Sequence, residues 1–420
     1  MITKNELHKL FEYRDNNIKL IYSDENKPTF VVVWDTGRRC NHDCTYCTAF
    51  MHSTTAPFNS FEQYKKTAEF IDEYTSIYNM YHKNSNWRTV ISFTGGEPAV
   101  NPAFYELLPY LKKNYPNMEL NLTTNGTWGE RKGKMLLEHL NSITVSYHCE
   151  GTQKQKDLIR KNLIWIQQNN LTNVRLKVNV MFHVDHWDEC IDLVENFLKP
   201  NSINYIPRVI GDDDLDNYEW FEDHDGIMRR TSHQYSDEQK DYLYNHWNEK
   251  NKSVGDTVEL KKDNSNDGLG RKMGRMCCGG RCMTVKSEDG NKERDTMFIN
   301  QSNFKDWSCM VNWFFLHIEE DNDAVYHHQT CRAKIPGSPK YDFPKLDSHQ
   351  HLNAETTGPI CTISDSGRYL EWLENHFVED GPPVIKSCPN LHCGCGICVP
   401  KARDKDDFDN LVNKYIIGYK

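Results

Sequence analysis

Residues 29–47 read TFVVVWDTGRRCNHDCTYC, and this stretch decides the fold. Phe30, Val31, Val32, Val33 and Trp34 form an unbroken apolar run of β-branched and aromatic residues, which predicts a short buried strand. A cysteine loop follows at once, with Cys40, Cys44 and Cys47 spaced CxxxCxxC.

Working outward, apolar strand patterns alternate with longer mixed helical ones. NSFEQYKKTAEFIDEYTSIYN leads to TVISF, AFYELLPYLKKNY to MELNLTT, KGKMLLEHL to SITVSYH, LIRKNLIWIQQNN to VRLKVNVMF, and WDECIDLVENFL to INYIPRV. Strands separated by helices pair in parallel, so residues 30–210 predict an α/β fold whose six strands curve into a partial (β/α)6 barrel. Residues 1–29 read as an N-terminal extension, an amphipathic segment and a turn. Residues 211–275 read as an acidic bridge with helical content, since GDDDLDNYEWFEDHDG matches no calcium-loop spacing. Residues 276–398 form a cysteine-rich α+β region, and residues 399–420 a short C-terminal helix docked by Leu411, Val412, Tyr415 and Ile416.

Composition narrows the function classes. The chain has 420 residues, 38% of them hydrophobic and 12% aromatic, which is ample core material and excludes disorder for most of its length. A net charge of -10 argues against extensive nucleic-acid binding. Without an apolar run of membrane-spanning length, and with a polar start, the expectation is a cytoplasmic chain with no membrane partner. In a reducing compartment 15 cysteines point to metal rather than disulfides.

Zinc normally takes its cysteines as paired two-residue knuckles, and no matching CxxC lies close downstream of Cys47. Three ligands on one loop suit a cubane [4Fe-4S] cluster with one iron left open to a cofactor. The loop and the FTGGEP stretch at Phe93–Pro98, each standing after one of the first two strands, resemble the radical S-adenosylmethionine superfamily. The resemblance implies that Cys40, Cys44 and Cys47 hold the cluster and that its open iron binds the methionyl amine and carboxylate. It further implies that Tyr46 lies beside adenine and that Gly95, Gly96, Glu97 and Pro98 support the methionyl amine. Independently, paired glycines after a buried strand let backbone approach a ligand closely. Other candidates fall at strand ends, where an open barrel builds its site. They are Thr123, Thr124 and Asn125, then Ser146 and His148, Asn179, and Arg208; of these, Ser146 and Arg208 resemble positions that hold the methionyl carboxylate or ribose.

Ten cysteines stand from Cys277 onward, more than one tetrahedral site can use. The stretch SCMVNWFFLHIEEDNDAVYHHQTC predicts a hairpin of FLHIEE and AVYHH reversed at DND. It resembles the auxiliary-cluster extensions called SPASM or twitch domains. That resemblance implies one or two further iron-sulfur clusters, with ligands drawn from Cys277, Cys282, Cys309, Cys331, Cys388, Cys393, Cys395 and Cys398. The group at Cys388, Cys393, Cys395 and Cys398 departs from the usual family spacing, and Cys149, Cys190, Cys278 and Cys361 are expected to be ordinary buried thiols. The expected function is reductive cleavage of S-adenosylmethionine and abstraction of a substrate hydrogen, served by a low-potential donor such as flavodoxin or ferredoxin. A peptide or protein side chain is the favoured substrate. The alternatives are a small molecule or nucleoside, including 3-amino-3-carboxypropyl transfer suggested by MCCGGRC, and a non-enzymatic metal scaffold.

Overall fold

The structure is a computed structural model, and it describes residues 18–23, 29–47, 52–83, 88–210, 219–222, 228–231, 235–239, 242–243, 283–287, 292–293, 304–328, 331, 333–341, 358–388 and 399–419. The elements that position the site are, in chain order, β1 (Ile18–Ser23), β2 (Thr29–Asp35), α1 (Phe61–Met80), β3 (Arg88–Thr94), α2 (Pro102–Asn114), β4 (Glu119–Thr124), α3 (Glu130–His139), β5 (Ser142–His148), α4 (Gln153–Asn169), β6 (Arg175–Phe182), α5 (Trp187–Asp192) and β7 (Tyr205–Val209). Strands β2 to β7 lie side by side in chain order, each parallel to the next. This is the mixed α/β fold with a parallel sheet that the alternating pattern predicts.

Local chemistry sets the helix starts. Ser60 and Gln63 form a capping box before α1, Asn101 caps α2 with Pro102 in its first turn, and Thr152 and Gln155 form a second capping box before α4. That second box begins α4 five residues earlier than its apolar pattern does. The sheet then presents two unlike faces. Trp34 packs edge-on against Tyr64 of α1, and Phe93 against Phe104 of α2. Ile143, Val145 and Tyr147 of β5 are buried on that side, whereas Ser142, Thr144, Ser146 and His148 alternate with them half-buried. β4 and β6 alternate in the same way, with Asn121, Thr123, Lys177 and Asn179 half-buried. One face is thus an apolar core and the other a half-buried polar face.

Later residues complete the sheet. After β8 (Glu219–Glu222), β9 (Met228–Thr231), β10 (Met283–Ser287), β11 (Lys292–Glu293) and β12 (Ser308–Cys309), the expected hairpin forms as β13 (Phe315–Glu319) and β14 (Ala324–Tyr326). It does not stand apart in the cysteine-rich region: β13 runs parallel to β2 from Phe315 beside Val31 to Glu319 beside Asp35, extending the large sheet to eight strands. The cause is the otherwise unpaired edge of β2, which the fully buried Phe315, Leu316 and Ile318 cover. β1 also departs from expectation. Instead of an amphipathic segment it is the middle strand of a second sheet, ordered β11-β10-β1-β15-β12, where β15 is Lys401–Ala402. Helix α6 (Ser366–Glu379) lies between the hairpin and β15 in sequence, and α7 (Lys405–Tyr415) follows β15 with Leu411, Val412 and Tyr415 buried and Ile416 buried just beyond it, as the tail's pattern predicts.

Candidate functional site

The cysteine loop leaves the carboxyl end of β2 and is tied to the turn after β3 by backbone alone. Gly96 N donates to Gly37 O and Glu97 N to Arg39 O, both at 2.8 Å. Gly95 has φ +115°, and a Cβ there would stand 2.7 Å from Gly37 O; a Cβ on Gly96 would stand 2.5 Å from the carbonyl oxygens of Arg38 and Arg39. Only glycines allow this approach, so the GGEP pair and the cysteine loop form one structure. From the other side, Cys40 N donates to Ser53 O (3.0 Å) and Ser53 N to Arg38 O (2.7 Å). Asp321, in the turn of the hairpin, accepts from Arg38 N (2.8 Å) and from Asn59 Nδ2 (2.7 Å).

Within the loop Cys44 is buried and Cys40 and Cys47 are half-buried, none in a disulfide. Burial pushes the Cys40 thiol up to about 11 and the Cys44 thiol up to about 12, with Glu97 adding to the first and Glu150 to the second. Burial raises Cys47 as well. Three thiols on one loop, none taken up by a disulfide, are the donor set that an iron-sulfur cluster uses. The residues present therefore fit such a cluster.

The loop is gripped from beneath by residues at and just beyond the ends of β4 and β5. Asn41 is held by Asn125 Nδ2 (2.7 Å), by Thr127 Oγ1 (2.7 Å) and, at its carbonyl, by Gln155 Nε2 (2.8 Å). Thr45 donates to Glu150 through both N (2.8 Å) and Oγ1 (2.5 Å). The Tyr46 hydroxyl meets His148 Nδ1 at 2.5 Å, with the two rings stacked at 5.9 Å. Burial, with the nearby His42 acting in the same direction, lowers His148 to about 4, so it is a neutral partner near pH 7.

The residues expected to meet the methionyl group, adenine and ribose all lie among the described residues. The Glu97 carboxylate is buried and accepts from Thr124 Oγ1 (2.7 Å), Asn125 N (2.5 Å) and Ala99 N (2.9 Å), joining the ends of β3 and β4. Burial pushes it up to about 7 against those bonds. Pro98 starts a buried 3-10 turn. Ser146 and Asn179 are direct neighbours across β5 and β6, as Met181 and Arg208 are across β6 and β7, on the polar face. The buried Asn179 Oδ1 has no hydrogen-bond partner among the described residues. Cys149 and Cys190 are buried with their sulfurs 2.9 Å apart.

Among the later cysteines, Cys309, Cys331, Cys361 and Cys388 are buried. Backbone bonds from Cys309 N to Ile385 O (2.7 Å) and from Cys388 N to Trp307 O (2.8 Å) bring the Cys309 and Cys388 segments side by side. Cys361 bridges Val325 of the hairpin. Cys277, Cys278, Cys282, Cys393, Cys395 and Cys398 lie outside the described residues.

Residues 34–162, which carry both the cysteine loop and the glycine turn, match the sequence model of the Radical SAM superfamily. That segment is similar to a radical SAM domain. The chain is 31% identical over 144 residues to Fe-coproporphyrin III synthase of Methanosarcina barkeri, spanning 34% of this chain and 32% of that protein. It is 27% identical over 172 residues to GTP 3',8-cyclase of Aquifex aeolicus, spanning 38% of this chain and 50% of that protein. The chain thus spans a third to a half of the length of these curated relatives. Among solved structures, native anSMEcpe with bound AdoMet aligns over 92% of this chain and 98% of that one, at 16% identity and TM-score 0.44. Streptococcus suis SuiB bound to precursor peptide SuiA aligns over 77% of this chain and 63% of that one, at 11% identity and TM-score 0.41.

Sequence reasoning passed over Thr45, Glu150, Asn41 and Gln155, which hold the loop. A carboxylate two residues past the end of a strand, in SYHCEG, was the available signal for Glu150. No helix among the described residues is long and apolar enough to cross a membrane.

Proposed function

We propose that this chain is an iron-sulfur radical enzyme that reductively cleaves S-adenosylmethionine and removes a hydrogen atom from its substrate. The observation that carries the reading is the backbone union of the Cys40, Cys44 and Cys47 loop with Gly96 and Glu97 at the carboxyl end of the parallel sheet. Cys40, Cys44 and Cys47 would hold the [4Fe-4S] cluster, Tyr46 would flank adenine, and Gly95 to Pro98 would carry the methionyl amine. Ser146, Asn179 and Arg208 would meet its carboxylate and ribose from the polar face. When bound, the reduced cluster supplies the electron that splits the sulfonium into methionine and a 5'-deoxyadenosyl radical.

The chain's own residues do the rest. The apolar layer behind the sheet makes the strand ends rigid, and the glycines and the Asn41, Thr45 and Tyr46 contacts fix the loop against them. The half-buried polar face gives a substrate hydrogen-bonding partners while the helices shield its back.

For the substrate, a peptide or protein side chain is favoured, because the cysteine-rich extension resembles auxiliary-cluster domains and the net charge of -10 suits a basic peptide. Within that extension, Cys309, Cys331 and Cys388 would contribute to one or two further clusters with Cys277, Cys282, Cys393, Cys395 and Cys398. A second reading, a small molecule, draws support from the two curated relatives, whose names specify a coproporphyrin and GTP. Ferredoxin or flavodoxin would serve as the donor in a cytoplasmic setting.

The test is anaerobic reconstitution with iron and sulfide, then S-adenosylmethionine and dithionite, with 5'-deoxyadenosine quantified. Formation of 5'-deoxyadenosine is the expected result; its absence from a chain carrying a full cluster would overturn the proposal. Deuterated peptides and metabolites then report the substrate class through label transferred into 5'-deoxyadenosine.

A further inference from the structure

Of the side chains beneath the sheet's carboxyl end that grip the segment from Cys40 to Cys47, one brings a carboxylate. Asn41 is held by the neutral groups of Asn125, Thr127 and Gln155, and Tyr46 by the neutral imidazole of His148. Glu150 differs from these. It lies just beyond β5, where Gly151 N turns back to His148 O (3.1 Å), and Thr152 then caps α4. Its two oxygens divide the contact: Oε2 accepts from Thr45 N at 2.8 Å and Oε1 from Thr45 Oγ1 at 2.5 Å. Thr45 stands immediately after Cys44, so this two-armed contact ends beside a cluster ligand.

Little else neutralises that carboxylate. Its side chain is only 16% exposed, and among the described residues the basic group within salt-bridge range is His183, with Nε2 4.0 Å from Oε1. His183 in turn has Asp185 at 3.9 Å.

We infer that Glu150 is a positioning residue that also acts electrostatically, clamping Thr45 and keeping a negative charge beside Cys44 so that the reduction potential of the cluster held by Cys40, Cys44 and Cys47 is lowered. Reduction adds an electron to that cluster. A fixed negative charge behind a low-dielectric wall opposes the addition, and the same charge in water would be screened. The inference rests on the radical-enzyme reading above and assigns to a residue outside both motifs the control of how strong a reductant the cluster becomes.

The test uses full-length protein reconstituted anaerobically, with iron and sulfide counted and the midpoint potential followed by electron paramagnetic resonance. Subtracting the spectrum of the Cys40→Ala/Cys44→Ala/Cys47→Ala variant isolates this cluster from any other. Glu150→Gln keeps the shape and removes the charge; Glu150→Asp keeps the charge and shortens the arm. The expected result is wild-type iron content in both variants, a midpoint shifted positive in Glu150→Gln, and a midpoint near wild type in Glu150→Asp. An unchanged midpoint in Glu150→Gln, or equal shifts in both variants, would overturn the inference. So would loss of the cluster from Glu150→Gln alone, which would leave Glu150 a loop brace. A wild-type chain that assembles no cluster at Cys40, Cys44 and Cys47 refutes the proposed function instead, and the two failures are thereby distinguished.

Discussion

Replacing Gly96 by alanine tests the central claim that the glycine turn and the cysteine loop are one structure. The added Cβ would lie 2.5 Å from both Arg38 O and Arg39 O, where ordinary contact begins at 3.4 Å. The loop must retreat by about 0.9 Å, and both atoms in its way are backbone, which has no rotamer to change. Overpacking of this kind costs about 1–3 kcal/mol. The same retreat breaks the bonds from Gly96 N to Gly37 O and from Glu97 N to Arg39 O, each 2.8 Å long, at roughly 1 kcal/mol apiece. The sum is about 3–5 kcal/mol, a large share of the roughly 5–15 kcal/mol that holds a folded domain. Gly96→Ala should therefore lower the denaturation midpoint measured by circular dichroism and bind less iron on reconstitution. Gly367→Ala is the control, since nothing lies within 4 Å of a Cβ there and the residue sits in helix α6. It should be neutral or stabilise by about 0.5 kcal/mol. If Gly96→Ala stays within about 0.5 kcal/mol of wild type and keeps its iron, the steric argument is wrong.

Three further outcomes follow from the structure. The Cys40→Ala/Cys44→Ala/Cys47→Ala variant should form no 5'-deoxyadenosine under dithionite, as read by chromatography; persistent product would exclude the loop as the cleavage site. Glu320 is buried, bonded by Trp34 Nε1 (2.8 Å) and Thr67 Oγ1, and pushed by burial from 4.5 up to about 7. Its folded state holds the proton more tightly than its unfolded state, so its contribution is greatest below pH 4.5. That contribution declines by up to about 3 kcal/mol as pH rises to about 7, at 1.36 kcal/mol per pH unit. Glu320→Gln should flatten that part of the pH–stability curve, and an unaltered curve would remove Glu320 as its source. Leu316→Ala, at a fully buried position of β13, should cost about 2–5 kcal/mol in chemical denaturation; a loss below about 1 kcal/mol would mean that the hairpin adds little to the sheet.

The sequence made some of these features readable and concealed others for physical reasons. The run Phe30 to Trp34 and the alternation in SITVSYH are local patterns, so the parallel strands and their two faces could be read directly. Cysteine spacing and paired glycines are local as well, and they led to the loop and turn that the structure joins. The partnership of Phe315 with Val31 is different, because a parallel pair needs no turn and leaves no mark at either end. β1 was hidden for a related reason: its neighbours Val285 and Ala402 come from remote parts of the chain. Glu150 and Thr45 meet from 105 residues apart, so their contact is visible only in space.

The late arrival of β13 has a consequence for how the protein is made. Trp34 and Glu320, whose side chains bond across β2 and the hairpin, are 286 residues apart in the chain. At roughly 5–20 residues per second, the ribosome needs about 14–57 s to deliver the second after the first. Throughout that interval the nascent β2 edge is uncovered, and the cysteine loop at its end lacks the Asp321 brace. A chaperone that shields this edge would suppress pairing between nascent chains, and iron loading would find a finished cradle only after the hairpin has emerged.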